Sequence, residues 1–450
     1  MREFPASPIT ALIDGSPQYD LGESYAPHLS VADILDPDEL AGLSLGYGTS
    51  GGDAELRALI AARLGLRDEQ VLLTAGASAA LFLVALLYSD GEILVGVPCF
   101  PPVLDALRGL GARVVTVPAR FEDGYRVDLD AFRDALSART RLVMFASPQN
   151  PSGVSITPGE VSEMLAAMSR RCPEAVLLID ETHREATYGS APPAPTFAGL
   201  SGRVLTCASL SKAYGVPGLR IGWLTVADPR LREQLRLAKF NSSVCCGVLD
   251  EFLAARLLSR TGQLLGSRAA LMARARDVVE RWIGEQGDRL HWLRPEAGAF
   301  SCARLNPDVF GPSDVRGFYD RLGDRRTVVA PGPWFGDSTH VMRLGLAYPP
   351  DDDLKKGLAV ISGALRPCAV LWLLGRRHGV RQPGLAVVRR ACGGDPAQGP
   401  GRGGVHIGRP QRQLGRHPSE HRPEGSAPDT TLVTAVGHHH KRHVGHPGLQ

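Results

Sequence analysis

From about Gly52 to Val248 the chain alternates short apolar, β-branched runs with longer segments of helical spacing, and few folds accept that alternation. Parallel strands need a crossover connection, which is usually a helix. Repeated strand–helix units therefore predict an α/β architecture around a mainly parallel sheet. Seven runs qualify as strands, at 71–74, 93–97, 114–117, 142–145, 175–179, 204–208 and 221–225. Each is bounded by turn residues and nearly continuous in apolar character, as expected of strands covered on both faces. Residues at helical spacing fill the intervals, for example 54–64 and 158–169. A long helical stretch from about 242 to 286 leads into a smaller α+β region. That region has expected strands at 300–305, 327–329 and 341–346 and a closing helix at 351–365.

A chain of 450 residues can bury one large core or two medium ones. No apolar run approaches the roughly 20 residues needed to cross a bilayer, and Met1 to Asp14 lack a basic start followed by an apolar block. A cytoplasmic location is expected. The eight cysteines form no C-x-x-C pairs, and the adjacent Cys245 and Cys246 suit neither a disulfide framework nor a ligand pair, so reduced thiols and no metal site are expected. The net charge of +3 hides an asymmetry: residues 367–450 hold 12 of the 50 Lys and Arg but 4 of the 47 Asp and Glu. The remaining body is mildly acidic, which gives no footprint for nucleic acid. Beyond Arg366 the chain turns to Arg, Gly, Pro and His without periodicity. The tail, with its His438-His439-His440 cluster, reads either as a basic, metal-prone or nucleic-acid-binding extension or, preferably, as a disordered or frame-shifted one.

Lysine is rare, with five in the chain, and one of them stands in an unusual setting. Ser209-Leu210-Ser211-Lys212-Ala213-Tyr214-Gly215-Val216-Pro217-Gly218-Leu219-Arg220 gathers two hydroxyls, a lysine and an arginine around a glycine-rich turn. A lysine amine forms an imine with an aldehyde, while Ser209, Ser211 and Arg220 carry donors suited to a phosphate. Taken alone, the segment reads equally as a small-residue loop with a solvated lysine. It does not stand alone. Asn150, in Asn150-Pro151-Ser152-Gly153, and Asp180 each follow an apolar strand, which brings them to the carboxyl edge of the sheet, where open α/β folds bind ligands.

The order and spacing of Asn150, Asp180 and Lys212 resemble those of the class I/II aminotransferases of fold type I, which carry pyridoxal 5'-phosphate (PLP). The resemblance spans about residues 19 to 365. It implies a large domain with a mainly parallel seven-stranded sheet sandwiched by helices, plus a smaller α+β domain. The boundaries it implies are 1–42 for an N-terminal arm and part of the small domain, 43–255 for the large PLP-binding domain and 256–366 for the C-terminal small domain.

Residue by residue, the resemblance implies that Lys212 anchors the cofactor and moves the proton. Asp180 would keep the pyridine nitrogen protonated, since a nearby negative charge favours the charged form, and Asn150 would donate to the phenolate oxygen. Ala77 and Ser78 open a helix after a strand, a setting suited to phosphate, and Phe100 of Pro98-Cys99-Phe100 would stack on the cofactor ring. Tyr47, in Tyr47-Gly48-Thr49-Ser50-Gly51-Gly52-Asp53-Ala54-Glu55-Leu56-Arg57, matches a tyrosine that reaches the neighbouring subunit's phosphate, which implies a homodimer with shared active sites. Arg343 follows a P-G-x-x-F-G turn and would clamp the substrate carboxylate through two parallel hydrogen bonds. Trp334 and Phe335 in that turn suggest apolar walls near the substrate.

One departure stands out. Relatives read D-x-x-Y where this chain has Asp180-Glu181-Thr182-His183. His183 is expected to touch the cofactor, and as a histidine it titrates near neutrality. Gly22 and Glu23 lie where relatives close over the substrate, and Glu23 suits a basic group there. The expectation is a PLP-dependent aminotransferase moving an amino group between an amino acid and a 2-oxo acid. The alternatives are a PLP-dependent cyclase, lyase or decarboxylase, capreomycidine synthase having a similar lysine segment, or a non-catalytic PLP-binding regulator. Intact mass of the natural protein tests the reading of the tail: a species ending near residue 366 is expected, and a full-length mass contradicts it.

Overall fold

The computed structural model describes residues 3–366. The tail from residue 367 lies outside the described residues, and so do the readings made of it. Thirteen strands occur among the described residues: β1 (Tyr19–Asp20), β2 (Val71–Thr74), β3 (Glu92–Val97), β4 (Arg113–Pro118), β5 (Thr140–Ala146), β6 (Val176–Asp180), β7 (Val204–Ser209), β8 (Gly222–Val226), β9 (Leu290–Leu293), β10 (Phe300–Leu305), β11 (Thr327–Val328), β12 (Ala330–Pro331) and β13 (Val341–Gly345). The seven runs expected from 71 to 225 form one sheet in the order β2-β8-β7-β6-β5-β3-β4. Its strands β4, β3, β5, β6 and β7 are parallel, and β8 runs antiparallel to both β7 and β2.

Alternate residues of one strand feed two cores. Ile93 and Val95 of β3 pack with Leu81, Leu107 and Leu235 from the helices Gly76–Leu87, Pro101–Leu110 and Pro229–Ser243. Leu94 turns the other way, toward Phe132 and Met164 of the helices Leu129–Ala135 and Pro158–Arg171. That is why these strands read as apolar on every residue. Local signals fix the helix ends. Asp53 Oδ1 accepts from Leu56 N at 2.8 Å at the start of Ala54–Leu64, and Gly65 closes that helix at φ 70°.

A second sheet is antiparallel, in the order β12-β13-β10-β9. Three sequence expectations are corrected. The stretch 242–286 is not one helix: Pro229–Ser243 ends at Val244, and Val248–Leu258 and Thr261–Gln286 follow as separate helices. The strand expected at 327–329 ends at Val328 as β11, and past Val329 the chain enters a different sheet as the unforeseen β12. Strands β9 and β1 were not foreseen. The two-residue β1 joins β11 in parallel, Tyr19 opposite Thr327, and so fastens the N-terminal arm to a late part of the chain.

Close approach of β8 to the start of the helix Gly76–Leu87 explains Gly222. A Cβ there would lie 2.5 Å from Gly76 C, 2.6 Å from Ala77 N and 2.8 Å from Ala208 O, all of them backbone atoms that cannot swing aside. Gly222→Ala is expected to destabilise the protein by about 1–3 kcal/mol through overpacking, read as a lowered urea midpoint at unchanged slope; an unchanged midpoint would contradict the close approach.

Candidate active site

The carboxyl ends of β2, β3, β5, β6 and β7 open into a cavity of ≈ 1010 Å³. Ala77 and Ser78 follow β2, Phe100 follows β3, Asn150 follows β5, Asp180 ends β6, Ser209 ends β7, and all of them line it. The loop from β7 to β8 adds Ser211, Lys212 and Arg220. Residues scattered over the sequence thus meet because parallel strands end on one edge.

The lysine loop is gripped from two sides. Leu210 N donates to Ile221 O at 3.1 Å across the loop's base. From the arm, Ala26 N donates to Lys212 O at 3.0 Å and Leu29 N to Gly215 O at 3.2 Å. Gly215 has φ 72°, and a Cβ on it would meet Pro27 O at 2.2 Å, so the arm's approach requires glycine there. Tyr214 donates its hydroxyl to Glu185, which Arg63 also binds. Lys212 Nζ donates to Ser24 Oγ at 3.1 Å and lies 5.5 Å from the centre of the Tyr25 ring.

Burial lowers the Lys212 amine from its ordinary 10.5 to about 8; Arg343 and Arg220 add to this, while Glu23 and Asp180 oppose it. The same burial raises the Asp180 carboxyl, against which Thr182, Cys207 and Lys212 act. A carboxylate in that position gains most from a cationic partner. Asp180 Oδ1 accepts from Thr182 N at 2.9 Å.

His183 is 4% exposed and stands edge-on to Phe300, with ring centres 4.7 Å apart. Burial, Lys212 and Arg343 push its pKa well below 6.5, so the expected titration near neutrality is corrected: the ring stays neutral. Its Nδ1 is buried without a hydrogen-bond partner. Buried polar atoms are normally paired, and an orphan in a cavity wall leaves a hydrogen bond for a ligand or water to make.

Arg343, Gly22 and Tyr47 do not line the cavity. Arg343 is fully buried in the middle of β13, where Nη1 donates to Asn150 Oδ1 at 2.8 Å and Nη2 to Gly22 O at 2.5 Å. Its guanidinium lies between the rings of Phe300 and Phe335, 5.4 and 4.8 Å from their centres. Phe335 therefore packs on Arg343, and Trp334 packs with Leu12 and Ala330 beside it; neither forms the expected cavity wall. Tyr47 is 91% exposed. Glu23, by contrast, lines the cavity at 8% exposure. Sequence reading missed Asp20, Tyr25, His28 and Tyr348. Tyr25 stacks on His28 at 5.0 Å and meets Tyr348 edge-on at 4.9 Å, and all four residues line the cavity. No pattern in the chain marks them, because the arm reaches the site through tertiary pairing.

At the opposite end of the site, Gly76 has φ 78°, and a Cβ there would lie 2.4 Å from Arg220 Nη2. The free N–H groups of the helix Gly76–Leu87, Ser78, Ser209, Ser211 and Arg220 together make a cradle for an anion. Cradle, buried amine, buried carboxyl and orphan imidazole match the phosphate, aldehyde, pyridinium and phenolate of PLP.

The sequence pattern of the aminotransferase class I and II family matches residues 19–361. The chain belongs to that family. Among its relatives is capreomycidine synthase from Streptomyces vinaceus, 33% identical over 350 residues, which are 77% of this chain and 86% of the synthase. The arginine–pyruvate transaminase AruH from Pseudomonas aeruginosa is 31% identical over 358 residues, 75% of this chain and 85% of AruH. Among solved structures, LysN, an α-aminoadipate aminotransferase from Thermus thermophilus complexed with N-(5'-phosphopyridoxyl)-L-leucine, matches with a TM-score of 0.70 at 25% identity, covering 80% of this chain and 95% of LysN. The protein is accordingly a PLP-dependent enzyme of fold type I, an aminotransferase by family.

With the Lys212 pKa lowered, its neutral amine dominates above pH 8 rather than above 10.5. In cofactor-free protein, carbamylation of Lys212 by cyanate, followed by peptide mass spectrometry, is expected to rise with pH through a midpoint near 8. In Glu23→Gln the midpoint should fall further, since Glu23 raises it; a midpoint above 10 in the parent protein would contradict the buried setting.

Proposed function

We propose that this enzyme transfers an amino group from an amino acid to a 2-oxo acid, with Lys212 as the base and acid that moves the proton. The observation that carries this is the buried, weakened Lys212 amine at the point where Asp180, Asn150 and the unpartnered His183 converge. Lys212 Nζ would be the cofactor's covalent anchor, Asp180 would hold its ring nitrogen, Asn150 and His183 its phenolate, and Ala77, Ser78, Ser209, Ser211 and Arg220 its phosphate, with Phe100 against its ring. When bound, PLP supplies an electron sink that makes the substrate's Cα–H acidic. Lys212 Nζ, freed when the substrate's own amine takes its place and neutral in part at physiological pH, would then take up the Cα proton as base and give it back as acid.

Arg343 is charged and immobilised between two aromatic rings, with Nε unpartnered. A substrate carboxylate would draw on that nitrogen and compete with Asn150 and Gly22 for the rest of the guanidinium. We further propose a homodimer in which Tyr47, exposed on its own protomer, completes the partner's phosphate site, a cytoplasmic location, and the domain boundaries 1–42, 43–255 and 256–366. Among the described residues, no helix is long and apolar enough to cross a membrane.

A second reading, ring closure on an amino-acid substrate, is supported by the 33% identity to capreomycidine synthase. Single amino acids incubated with the holoenzyme separate the two. Transamination is expected to yield about one equivalent of 2-oxo acid per subunit without an acceptor and sustained turnover with pyruvate. A cyclised product with no 2-oxo acid would replace the amino-transfer reading. Lys212→Ala should lower the rate by about 10²–10⁴ or more, with retained fold by circular dichroism.

A further inference from the structure

The arm brings two carboxylates into the cavity, Asp20 and Glu23, and neither makes an ion pair among the described residues. Every hydrogen bond they receive comes from the backbone of their own turn. Asp20 Oδ1 accepts from Gly22 N at 2.8 Å and from Glu23 N at 3.1 Å, and Glu23 Oε2 accepts from Ser24 N at 3.3 Å. Among the described residues, neither Asp20 Oδ2 nor Glu23 Oε1 receives a hydrogen bond. The turn is closely packed: a Cβ on Gly22 would meet Leu12 Cδ2 at 2.5 Å and Val328 Cγ1 at 3.2 Å.

The nearby cations, Lys212 and Arg343, act on these acids through space but form no ion pair with them. Arg343 spends both Nη groups on Asn150 and Gly22, Lys212 is bonded to Ser24, and His183 is neutral. Burial raises the Asp20 carboxyl and the neighbouring Glu23 raises it further, while the bonds from Gly22 N and Glu23 N and the more distant Arg343 act against this. Beside them stand the rings of Tyr25 and Tyr348, whose faces attract cations. Two carboxylates lining one cavity, Glu23 buried and Asp20 half-buried, with free oxygens and aromatic neighbours, are matched by one ligand chemistry: a positively charged group with several N–H donors.

We propose that Asp20 and Glu23 select an amino donor whose side chain ends in a cation, a guanidinium or an ammonium. The inference rests on the amino-donor reading above and adds the class of donor. A guanidinium suits two carboxylates best, because its N–H groups spread in a plane and can serve both. Arg343 takes the donor's α-carboxylate, and the two acids take the far end of the same molecule.

Donor pairs that differ in charge and little in shape test this. For the holoenzyme, arginine is expected to exceed citrulline in kcat/KM, and lysine to exceed norleucine, by about ten- to a hundredfold, the range of a hydrogen bond to a charged group. A preference within the first pair alone assigns a guanidinium, within the second alone an ammonium. Asp20→Asn keeps the acceptor for Gly22 N, and Glu23→Gln keeps the shape; each should shrink these ratios, and the double variant should bring them near one. If Glu23 only tunes Lys212, all donors fall alike and the ratios stand, which overturns the proposal. Calorimetry with 5-guanidinopentanoate and 5-ureidopentanoate, which lack the reacting amine, reads the same selection without turnover. Equal affinities for the two overturn it. A preference for the guanidino compound from an enzyme that yields no 2-oxo acid would instead uphold the carboxylate pair and remove the amino-transfer reading.

Discussion

Everything in the site depends on holding one amine out of water. A lysine sunk in a cavity wall loses much of the solvation of its charged form, and here that lowers Lys212 to about 8, within reach of neutral conditions. The surroundings limit the loss without cancelling it: Ser24 Oγ accepts from the amine, and Glu23 and Asp180 favour its charge, while Arg343 and Arg220 oppose it. Ser24 and Glu23 belong to the arm, and the arm also bonds the backbone of the lysine loop through Ala26 and Leu29. Basicity and loop position are therefore governed by the same short segment.

His183 follows from the same balance of charge. Between two cations and against the edge of Phe300, its imidazole has nowhere to place a second proton. The departure from the family's tyrosine thus substitutes one neutral hydrogen-bonding group for another. It leaves a ring nitrogen without a partner where a phenol would have projected further.

How much of this could be read in the chain follows the same physics. Strands covered on both faces announce themselves as unbroken apolar runs, and 71–74, 93–97 and 204–208 lie within the observed strands β2, β3 and β7. Asn150, Asp180 and Lys212 were legible because each stands just after or at the end of such a run. Strand β1 was not, since two residues carry no periodicity and its partner β11 lies at the far end of the described chain. The same distance hid Asp20, Tyr25 and Tyr348. Arg343 was legible as a residue but not in its position: the sequence marks a strand and a turn, whereas its retreat behind the cavity wall depends on Asn150, Gly22 and two aromatic rings that only folding assembles. Val329 shows the limit at short range, because the strand expected to include it ends one residue earlier and the chain enters another sheet past it.

The fastening of the arm to β11 and to Arg343 also sets an order of events during synthesis. The arm leaves the ribosome first, yet its bonding partners Val328, Arg343 and Gly345 are made near the end of the described chain. Until they arrive, the seven-stranded sheet can form with Lys212 already at its edge, but without the wall that dries it. From the synthesis of Lys212 until that of Gly345 a nascent enzyme therefore carries an exposed lysine of ordinary basicity, and it acquires its reactive amine only when the last sheet closes on the first segment.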